Sequence, residues 1–389
     1  MRYDVIVVGG GPAGASAAHG LARAGARVLL LERRRLPRYK ACGGCLSRRV
    51  ADLLKFGLAD LIEEQITGLT FTCRGRDPIQ ASFTEPMAYL VRRDRFDQML
   101  CIKAVEAGAT LQDGQVVRAV RQAGSRIEVD LEARTESADF LVGADGASGV
   151  VARDLFPGRP RPRAVGLDGE LPLPGHVETA LQGRVVIDVG RAPGGYCWVF
   201  PKRGVASVGV MVGRSVAKRA SRCLDAFLGS GSFGPRRAAR THAALIPLYP
   251  SSGTLLYRGR ALLAGDAAAL VDPFLGEGIY YAILSGQLAS RAILQAASNG
   301  ADLMCYDRAI STEIRPELEA AGELSRQAYR FPWLWFKVLK RRRGMLDHFR
   351  RVLMGEKSYR SFADRAWAVI PRPLALLLGA RHPHTSMRG

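Results

Sequence analysis

The sequence predicts an α/β fold in which a doubly wound, dinucleotide-binding domain is interleaved with a mostly antiparallel β-sheet domain and followed by C-terminal helices. Three short segments carry this prediction: residues 9–14 (GGGPAG), 143–146 (GADG) and 265–266 (GD). Segments this far apart belong to one site only if the chain returns to a shared cofactor after building a second domain.

The first segment has the spacing of a phosphate-binding turn. Residues 3–8 are a short apolar run, as expected for a buried parallel strand. Gly9 permits a tight turn, Gly11 lets the backbone approach a pyrophosphate, and Gly14 allows a helix to pack closely on the strand. The free N–H groups and partial positive charge at the start of that helix favour bound phosphate.

Two carboxylates at predicted strand ends are suited to the sugar parts of such a cofactor. Residues 27–31 form a second strand that ends at Glu32, where an acidic residue accepts hydrogen bonds from a ribose. Residues 260–264 form a later strand followed by Gly265 and Asp266, and a carboxylate there can receive a ribityl hydroxyl. Together the segments predict an FAD-binding Rossmann domain of the two-dinucleotide type.

A further helix is predicted to face the flavin ring. Residues 273–279 (PFLGEGI) open this helix, and its N–H groups can face the N1–C2=O edge of an isoalloxazine. Positive potential at that edge stabilises the anionic reduced flavin.

Composition limits the class of protein and of partner. A chain of 389 residues is long for one core and indicates two domains. The formal net charge of +20 indicates an anionic partner, either a membrane surface, an acidic electron donor or a nucleic acid. Nucleic acid ranks last of the three, because the sequence has no recognisable nucleic-acid-binding motif. The seven cysteines are scattered and no apolar run spans a bilayer, so we expect a cytoplasmic protein without a disulfide framework.

The pattern along the chain predicts how the domains are divided. Residues 50–66 are expected to be helical because their leucines form an apolar stripe. The predicted ranges are 1–70, 93–155 and 258–300 for the cofactor domain, 71–92 and 156–257 for the substrate β-sheet domain, and 301–389 for a basic helical region.

Four motifs resemble one known family. Residues 193–201 (PGGYCWVFP) fit a PxxYxWxFP pattern, and residues 40–47 (KACGGCLS) fit KxCGGxLS, with Cys45 where many members carry glycine. Residues 93–97 (RDRFD) resemble RxxFD, and residues 355–359 (GEKSY) resemble a C-terminal GExSY. The whole chain thereby resembles the geranylgeranyl reductase family, within the group that also contains aromatic hydroxylases and flavin halogenases.

The resemblance implies FAD-dependent hydrogenation of isoprenoid double bonds in a prenyl lipid, pigment or quinone. It gives the cofactor, FAD, and, with the turn residues above, a set of predicted contacts. The predicted cofactor-binding residues are Gly9, Gly11, Ala13, Gly14, Glu32, Cys42, Gly43, Gly44, Arg93, Val117, Asp145, Gly265, Asp266, Pro273, Gly276, Gly278 and Ile279.

The aromatic residues of the PxxYxWxFP motif are predicted to form the substrate wall. Tyr196, Trp198 and Phe200 alternate along a strand and so project from one face. Beside a flavin, that face would line a prenyl chain and stabilise positive charge that develops when the alkene is protonated. The alternative is a strand that buries its aromatics in its own core. The proton source is not visible in the sequence.

Cys42 and Cys45 allow several interpretations. They could form a redox dithiol, Cys42 could donate a proton, or the loop could simply pack closely over the flavin. A zinc site needs two further ligands with suitable spacing, and we expect no metal. We expect packing for Cys45 and a catalytic role for Cys42.

The electron donor is left open. Without a second GxGxxG, electrons must come from transiently bound NAD(P)H or from a carrier such as reduced ferredoxin. Two other functions are alternatives: an aromatic monooxygenase or halogenase, although residues 40–47 differ from the GES-type halogenase loop, and a membrane-associated flavin electron-transfer protein that reduces quinone.

The basic C-terminal segment suggests a location. Residues 333–360 read as helical, with tryptophan, phenylalanine and leucine interleaved among lysine and arginine. Such a segment can lie in an anionic membrane interface, which predicts a protein peripheral at the cytoplasmic membrane face. The alternative is a helical cap packed on the cofactor domain, with a solvated basic face.

Overall fold

The computed structural model describes residues 2–54, 56–158, 164–230, 240–250, 254–300 and 302–368. Within these ranges the chain forms eighteen strands and twelve α-helices. The strands are β1 (Tyr3–Val8), β2 (Val28–Glu32), β3 (Cys45–Ser47), β4 (Ile62–Ile66), β5 (Gly68–Cys73), β6 (Arg76–Ser82), β7 (Ala88–Val91), β8 (Thr110–Asp113), β9 (Ala119–Ala123), β10 (Arg126–Asp130), β11 (Thr135–Gly143), β12 (Ala164–Pro172), β13 (Arg184–Val189), β14 (Tyr196–Lys202), β15 (Val205–Gly213), β16 (Thr241–Ile246), β17 (Tyr257–Arg258) and β18 (Ala261–Leu263). The α-helices are α1 (Pro12–Arg23), α2 (Arg48–Leu53), α3 (Arg93–Glu106), α4 (Val150–Leu155), α5 (Gly175–Leu181), α6 (Ala220–Leu228), α7 (Ile279–Asn299), α8 (Met304–Glu313), α9 (Arg315–Arg330), α10 (Pro332–Arg341), α11 (Arg343–Leu353) and α12 (Tyr359–Ala368).

The first sheet brings the three predicted segments together. Its order is β17-β18-β11-β1-β2-β8, and the neighbours from β18 to β8 pair in parallel. Val8 is in register with Gly143, and Gly143 with Leu263, so the carboxyl ends of β1, β11 and β18 lie side by side. The segments that follow these strands therefore meet at one edge, as the sequence predicts.

The second sheet is mostly antiparallel, which confirms the predicted fold class. Its order is β16-β12-β15-β14-β13-β5-β6, and only the β13–β5 pair is parallel among the pairings of its described strands. β7 pairs instead with β3 and β4 in a small third sheet. The domain boundaries themselves stay a prediction, and residues 369–389 of the predicted C-terminal region lie outside the described residues.

The prediction of a helix over residues 50–66 is wrong beyond Leu53. Leu54 is extended and ends α2, a 3-10 turn covers Ala59–Leu61, and Ile62–Ile66 forms β4. The hydrogen bonds between β4 and β7 decide the conformation of this segment, because pairing within a sheet outweighs a local leucine stripe.

The C-terminal helices pack against both sheets, α8 against β17 of the first and α10 against β5 of the second. Their buried residues, including Leu324, Trp335, Val352, Tyr359 and Phe362, form a core of their own. No helix in the described part of the chain is both long enough and apolar enough to cross a bilayer.

Candidate active site

A cavity of about 810 Å³ extends from the carboxyl edge of the parallel sheet, along β14, to the C-terminal helices. Most predicted site residues lie on its wall. These are Gly9, Gly11, Ala13, Glu32, Cys42, Gly43, Gly44, Arg93, Val117, Asp145, Tyr196, Trp198, Phe200, Asp266, Gly276, Gly278 and Ile279. The described wall does not include Gly14, Gly265 or Pro273, which lie behind it.

The end of β1 and the start of α1 form a cradle that fits a pyrophosphate. A Cβ on Gly14 would lie 1.9 Å from the carbonyl oxygen of Gly9, so α1 can approach the strand only with glycine there. Gly11 caps α1 without a side-chain hydrogen bond to the helix, and a Cβ at Gly11 would meet only Arg38 Nη2, at 3.9 Å. The helix therefore offers its first N–H groups to the cavity, as phosphate binding requires.

Glu32 lies beside this cradle and is held in place by three donors. The backbone N–H groups of Gly10 and Arg34 donate to its two carboxylate oxygens, each at 3.0 Å. Arg38 Nε lies 3.3 Å from the same carboxylate. A carboxylate can accept about four hydrogen bonds, so Glu32 retains capacity for a ribose hydroxyl.

The later segments surround the other end of the cradle. Asp266 lies in a 3-10 turn at the cavity wall, after β18. Gly278 caps α7 without a side-chain hydrogen bond to the helix, so the N–H groups of its first turn face the cavity beside Ile279. Gly265 allows α1 to pack closely against this turn. A Cβ at Gly265 would lie only 2.8 Å from the Cβ of Ala13 and would push the helix and the turn apart.

Asp145 caps a helix at the wall. One of its oxygens accepts the N–H of Val151 at 3.0 Å, at the start of α4. The other oxygen is buried and has no hydrogen-bond partner among the described residues. Burial raises the pKa of this carboxyl group.

The aromatic side chains of β14 line one side of the cavity, as the alternation predicts. The ring centroids of Tyr196 and Trp198 lie 6.0 Å apart, and those of Trp198 and Phe200 are also 6.0 Å apart and stacked. All three contribute to the wall, so the rings lie at the border between the strand and the cavity.

A buried polar chain, which the sequence reasoning missed, fixes Trp198. Trp198 Nε1 donates to Ser207 Oγ at 3.2 Å, and Ser207 Oγ donates to Asp168 Oδ1 at 2.7 Å. Tyr39 donates its hydroxyl to Asp168 Oδ2 at 2.8 Å. Burial raises the pKa of Asp168, while the two hydroxyl donors act against that rise. A serine in the otherwise apolar β15 is the signal in the sequence that could have indicated this chain.

The KACGGCLS loop packs directly on the aromatic wall. A Cβ on Gly43 would lie 2.6 Å from Phe200 Cδ2, and one on Gly44 would lie 2.2 Å from the carbonyl oxygen of Val91. Burial raises the pKa of the Cys45 thiol to about 12, which makes this thiol a weak acid. Cys42 and Cys45 both lie on the cavity wall.

Arg93 begins α3 at the wall beside this loop. Its guanidinium donates to both carboxylate oxygens of Asp97, at 2.9 and 3.0 Å, and also lies next to Cys42. Asp97 is fully buried and receives Arg38 as well. Arg93 is therefore fixed in the position from which the predicted cofactor contact would be made.

The far end of the cavity is apolar. Every lysine or arginine on the described wall comes from residues 33–40 or is Arg93. The C-terminal helices contribute mainly apolar side chains: Ala328, Trp335, Leu339, Leu346, Phe349, Leu353 and Phe362. Residues 333–360 were expected to supply apolar surface toward a membrane, but Trp335, Leu339, Leu346, Phe349 and Leu353 of that segment line the cavity. Trp333, by contrast, has 60% of its surface exposed.

Comparisons with known proteins agree with this geometry. Residues 2–165 match the FAD binding domain family, and residues 181–242 match the geranylgeranyl reductase catalytic domain. The geranylgeranyl diphosphate reductase of Rhodobacter capsulatus is 33% identical over 77% of both chains. The digeranylgeranylglycerophospholipid reductase 1 of Methanopyrus kandleri is 30% identical over 84% of this chain and 90% of that protein.

A solved structure shares the whole architecture. The crystal structure of a geranylgeranyl bacteriochlorophyll reductase-like protein from Thermoplasma acidophilum superimposes with a TM-score of 0.77, covering 97% of this chain and 99% of that one at 21% identity. The FAD domain match and the glycine cradle together give FAD as the cofactor. With two reductases at 30% identity or more over most of their length, the chain belongs to the geranylgeranyl reductase family of FAD-dependent oxidoreductases.

Proposed function

We propose that this protein is an FAD-dependent reductase that hydrogenates isoprenoid C=C bonds of a geranylgeranyl lipid, pigment or quinone. The observation that carries the proposal is the junction in one cavity of a dinucleotide cradle, an aromatic strand and an apolar chamber. A prenyl chain of about twenty carbons gains on the order of 10 kcal/mol by leaving water, at roughly 0.8 kcal/mol per methylene. The chamber's apolar walls suit that chain.

When bound, FAD would supply a hydride to one carbon of the double bond, and the other carbon would take a proton. The residues of the chain hold the alkene and stabilise positive charge that develops on it. The faces of Tyr196, Trp198 and Phe200 can each contribute roughly 0.5–2 kcal/mol toward a cation. Ser207 and Asp168 hold the indole of Trp198 in its orientation. We assign the proton to the Cys42 thiol, because it lies on the wall between cradle and aromatic strand.

We also propose a peripheral position at the cytoplasmic face of a membrane. Trp333 on α10 is exposed, and Lys337 Nζ lies 3.8 Å from its ring centroid. Pro332 and Trp335, on the same helix, line the cavity. An aromatic and basic surface on a cavity-lining helix would let a prenyl lipid enter from an anionic interface. Electrons would come from NAD(P)H or reduced ferredoxin, which the basic charge would attract.

The first alternative fits less well. The geranylgeranyl diphosphate reductase and the digeranylgeranylglycerophospholipid reductase at 30% identity or more are named for prenyl substrates, which does not favour an aromatic monooxygenase or halogenase. The second alternative is separated from the proposal by its product, because a prenylated quinone would also suit the apolar chamber and one relative, from Mycolicibacterium smegmatis at 32% identity, is named menaquinone reductase. Substrate-dependent oxygen uptake would support the first alternative, and reoxidation of the flavin by a quinone with no alkene reduced would support the second.

The test of the proposal is anaerobic turnover of the dithionite-reduced protein. Geranylgeranyl lipids with phosphate, phospholipid and quinone heads are each added, and the products are analysed by mass spectrometry. The proposal predicts flavin reoxidation together with a gain of two hydrogens per reduced bond in the prenyl chain of at least one lipid, located by fragment masses because reduction of a quinone head to a quinol also adds two hydrogens. A fully saturated phytanyl phosphate or phospholipid is the control and should not reoxidise the flavin. Reoxidation without any gain in the mass of the prenyl chain would contradict the proposal.

A further inference from the structure

The loop of residues 272–278 joins the parallel sheet to α7 and is closed on itself. The N–H of Asp272 donates to the carbonyl of Glu277 at 3.1 Å, and the N–H of Gly276 donates to the carbonyl of Asp272 at 3.0 Å. The Asp272 carboxylate also accepts the N–H of Phe274 at 2.6 Å. Gly276, Glu277 and Gly278 lie on the cavity wall. The conformation of this loop therefore decides which backbone groups would face the edge of a flavin bound in the cavity.

Three tyrosine hydroxyls from separate elements hold the 272–278 loop. Tyr196 of β14 donates to the carbonyl of Leu275, and Tyr329 of α9 donates to the carbonyl of Phe274. Tyr359 of α12 donates to Asp272 Oδ2 at 2.5 Å. The last bond differs from the other two, because its acceptor is a carboxylate rather than a backbone carbonyl, and bonds to charged acceptors are the stronger kind.

The Tyr359–Asp272 bond is fully enclosed. Both residues have no exposed surface, and the ring of Tyr359 packs edge-on against Phe274 with centroids 6.1 Å apart. The backbone N–H of Tyr359 donates to the carboxylate of Glu317 at 2.9 Å, and this bond anchors α12 to α9. Asp272 thus has one oxygen on the loop backbone and the other on the C-terminal helix, and this bond joins α12 to the loop.

We infer that Tyr359, acting through Asp272, is a positioning residue that fixes the 272–278 loop and the first turn of α7 against the flavin and so raises the reduction potential of the flavin. The first N–H groups of α7 have no side-chain cap and stabilise negative charge on the reduced ring only while they point at it. The inference gives the GEKSY segment a role and does not depend on which substrate is reduced.

Four variants separate positioning from mere packing. Tyr359→Phe keeps the ring against Phe274 and removes only the hydroxyl, and Asp272→Ala removes the acceptor without altering α12. Asp272→Asn keeps groups that can bond both Phe274 and Tyr359. Tyr281→Phe is the matched control, because the Tyr281 hydroxyl is buried on α7 without a hydrogen-bond partner in the described structure.

The readouts are the midpoint potential of bound FAD and amide exchange over residues 272–279, with and without FAD. In Tyr359→Phe relative to the wild type, and in Asp272→Ala relative to Asp272→Asn, which loses the same negative charge, we expect the preference for reduced over oxidised flavin to fall about tenfold, a lowering of about 30 mV for a two-electron couple. Exchange at Phe274 and Gly276 should quicken in Tyr359→Phe and Asp272→Ala even in the flavin-free protein. Tyr281→Phe should match the wild type.

Equal potentials in Asp272→Ala and Asp272→Asn would overturn the inference, as would a shift in Tyr281→Phe as large as that in Tyr359→Phe. If Tyr359→Phe also loosens residues 359–368, Asp272→Ala alone decides, because it leaves α12 intact. A loss of alkene reduction with a normal potential in these variants would contradict this inference and leave the proposed function standing.

Discussion

Gly43→Ala tests whether the CGGC loop and the aromatic strand form one wall. A Cβ on Gly43 would lie 2.6 Å from Phe200 Cδ2 and 2.7 Å from Phe200 Cε2. Carbon atoms in contact lie about 3.5–4.0 Å apart, so either the ring or the loop must move by about 1 Å. Overpacking of this kind costs typically about 1–3 kcal/mol of unfolding free energy.

The assay combines stability, flavin content and turnover. We expect Gly43→Ala to retain FAD, to unfold at a temperature lower by a few degrees, and to reduce a prenyl substrate more slowly, because the displaced Phe200 ring occupies part of the cavity. Gly175→Ala is the matched control: nothing lies within 4 Å of a Cβ there, and the residue begins α5, far from these motifs in the chain.

A double-mutant cycle gives the refuting result. Phe200→Ala removes both atoms that the new methyl group meets, so the free-energy costs of Gly43→Ala and Phe200→Ala should fail to add, by about 1 kcal/mol or more. Additive costs, or a Gly43→Ala protein as stable and active as Gly175→Ala, would show that the two motifs do not share a wall.

Three further predictions concern the cradle, the buried acid and the surface. Glu32→Ala should lower FAD occupancy, measured by flavin absorbance per chain, because Gly10 and Arg38 lose their common partner; normal occupancy would remove Glu32 from the cradle. Burial raises the pKa of Asp272 from 3.8 to about 6. The contribution of Asp272 to the unfolding free energy is therefore full below pH 4 and falls by about 3 kcal/mol as pH rises to 7. Asp272→Asn should abolish this pH dependence in denaturant titrations, and an unchanged pH dependence would contradict the assignment. Trp333→Ala should weaken binding to anionic vesicles in sedimentation while leaving activity on detergent-dispersed substrate unchanged, and equal binding by both proteins would argue against a membrane role for this surface.

The cofactor half of the site could be predicted from the sequence because its constraints are local. A Cβ on Gly14 would lie 1.9 Å from the Gly9 carbonyl, so the turn needs glycine whatever surrounds it. Glu32 ends its strand within the same βαβ unit as the turn. The alternation of Tyr196, Trp198 and Phe200 likewise fixes one face of a strand without knowledge of its neighbours.

The polar chain behind Trp198 could not be predicted in this way. Asp168 and Ser207 are 39 positions apart and meet only because β12 and β15 pair in a register that sets Ser207 opposite Glu170. Tyr39 arrives from 129 positions away. Sequence spacing holds no information on such contacts, which depend on how two strands and a loop from the other domain are packed.

The C-terminal helices show a different limit of the sequence. Their periodicity predicts helices with apolar and basic faces, and α10 and α11 cover most of residues 333–360, although residues 354–358 lie outside a helix. The periodicity does not predict what covers the apolar face. Leu346 is almost fully buried at the cavity, whereas Trp333 faces outward, and both lie in the same interleaved pattern. The apolar face that the sequence suggested for a membrane interface is therefore in large part the wall of the proposed prenyl chamber.

The most direct test of the central claim is single-turnover reduction of a geranylgeranyl lipid by Trp198→Ala that has first been shown to carry reducible FAD. The claim is that the aromatic face of β14 holds the alkene beside the flavin, so flavin reduction by dithionite should proceed as in the wild type while anaerobic reoxidation by the lipid is lost. Reoxidation at the wild-type rate, with the hydrogenated lipid as product, would contradict the claim and show that the aromatic strand serves the core rather than the substrate.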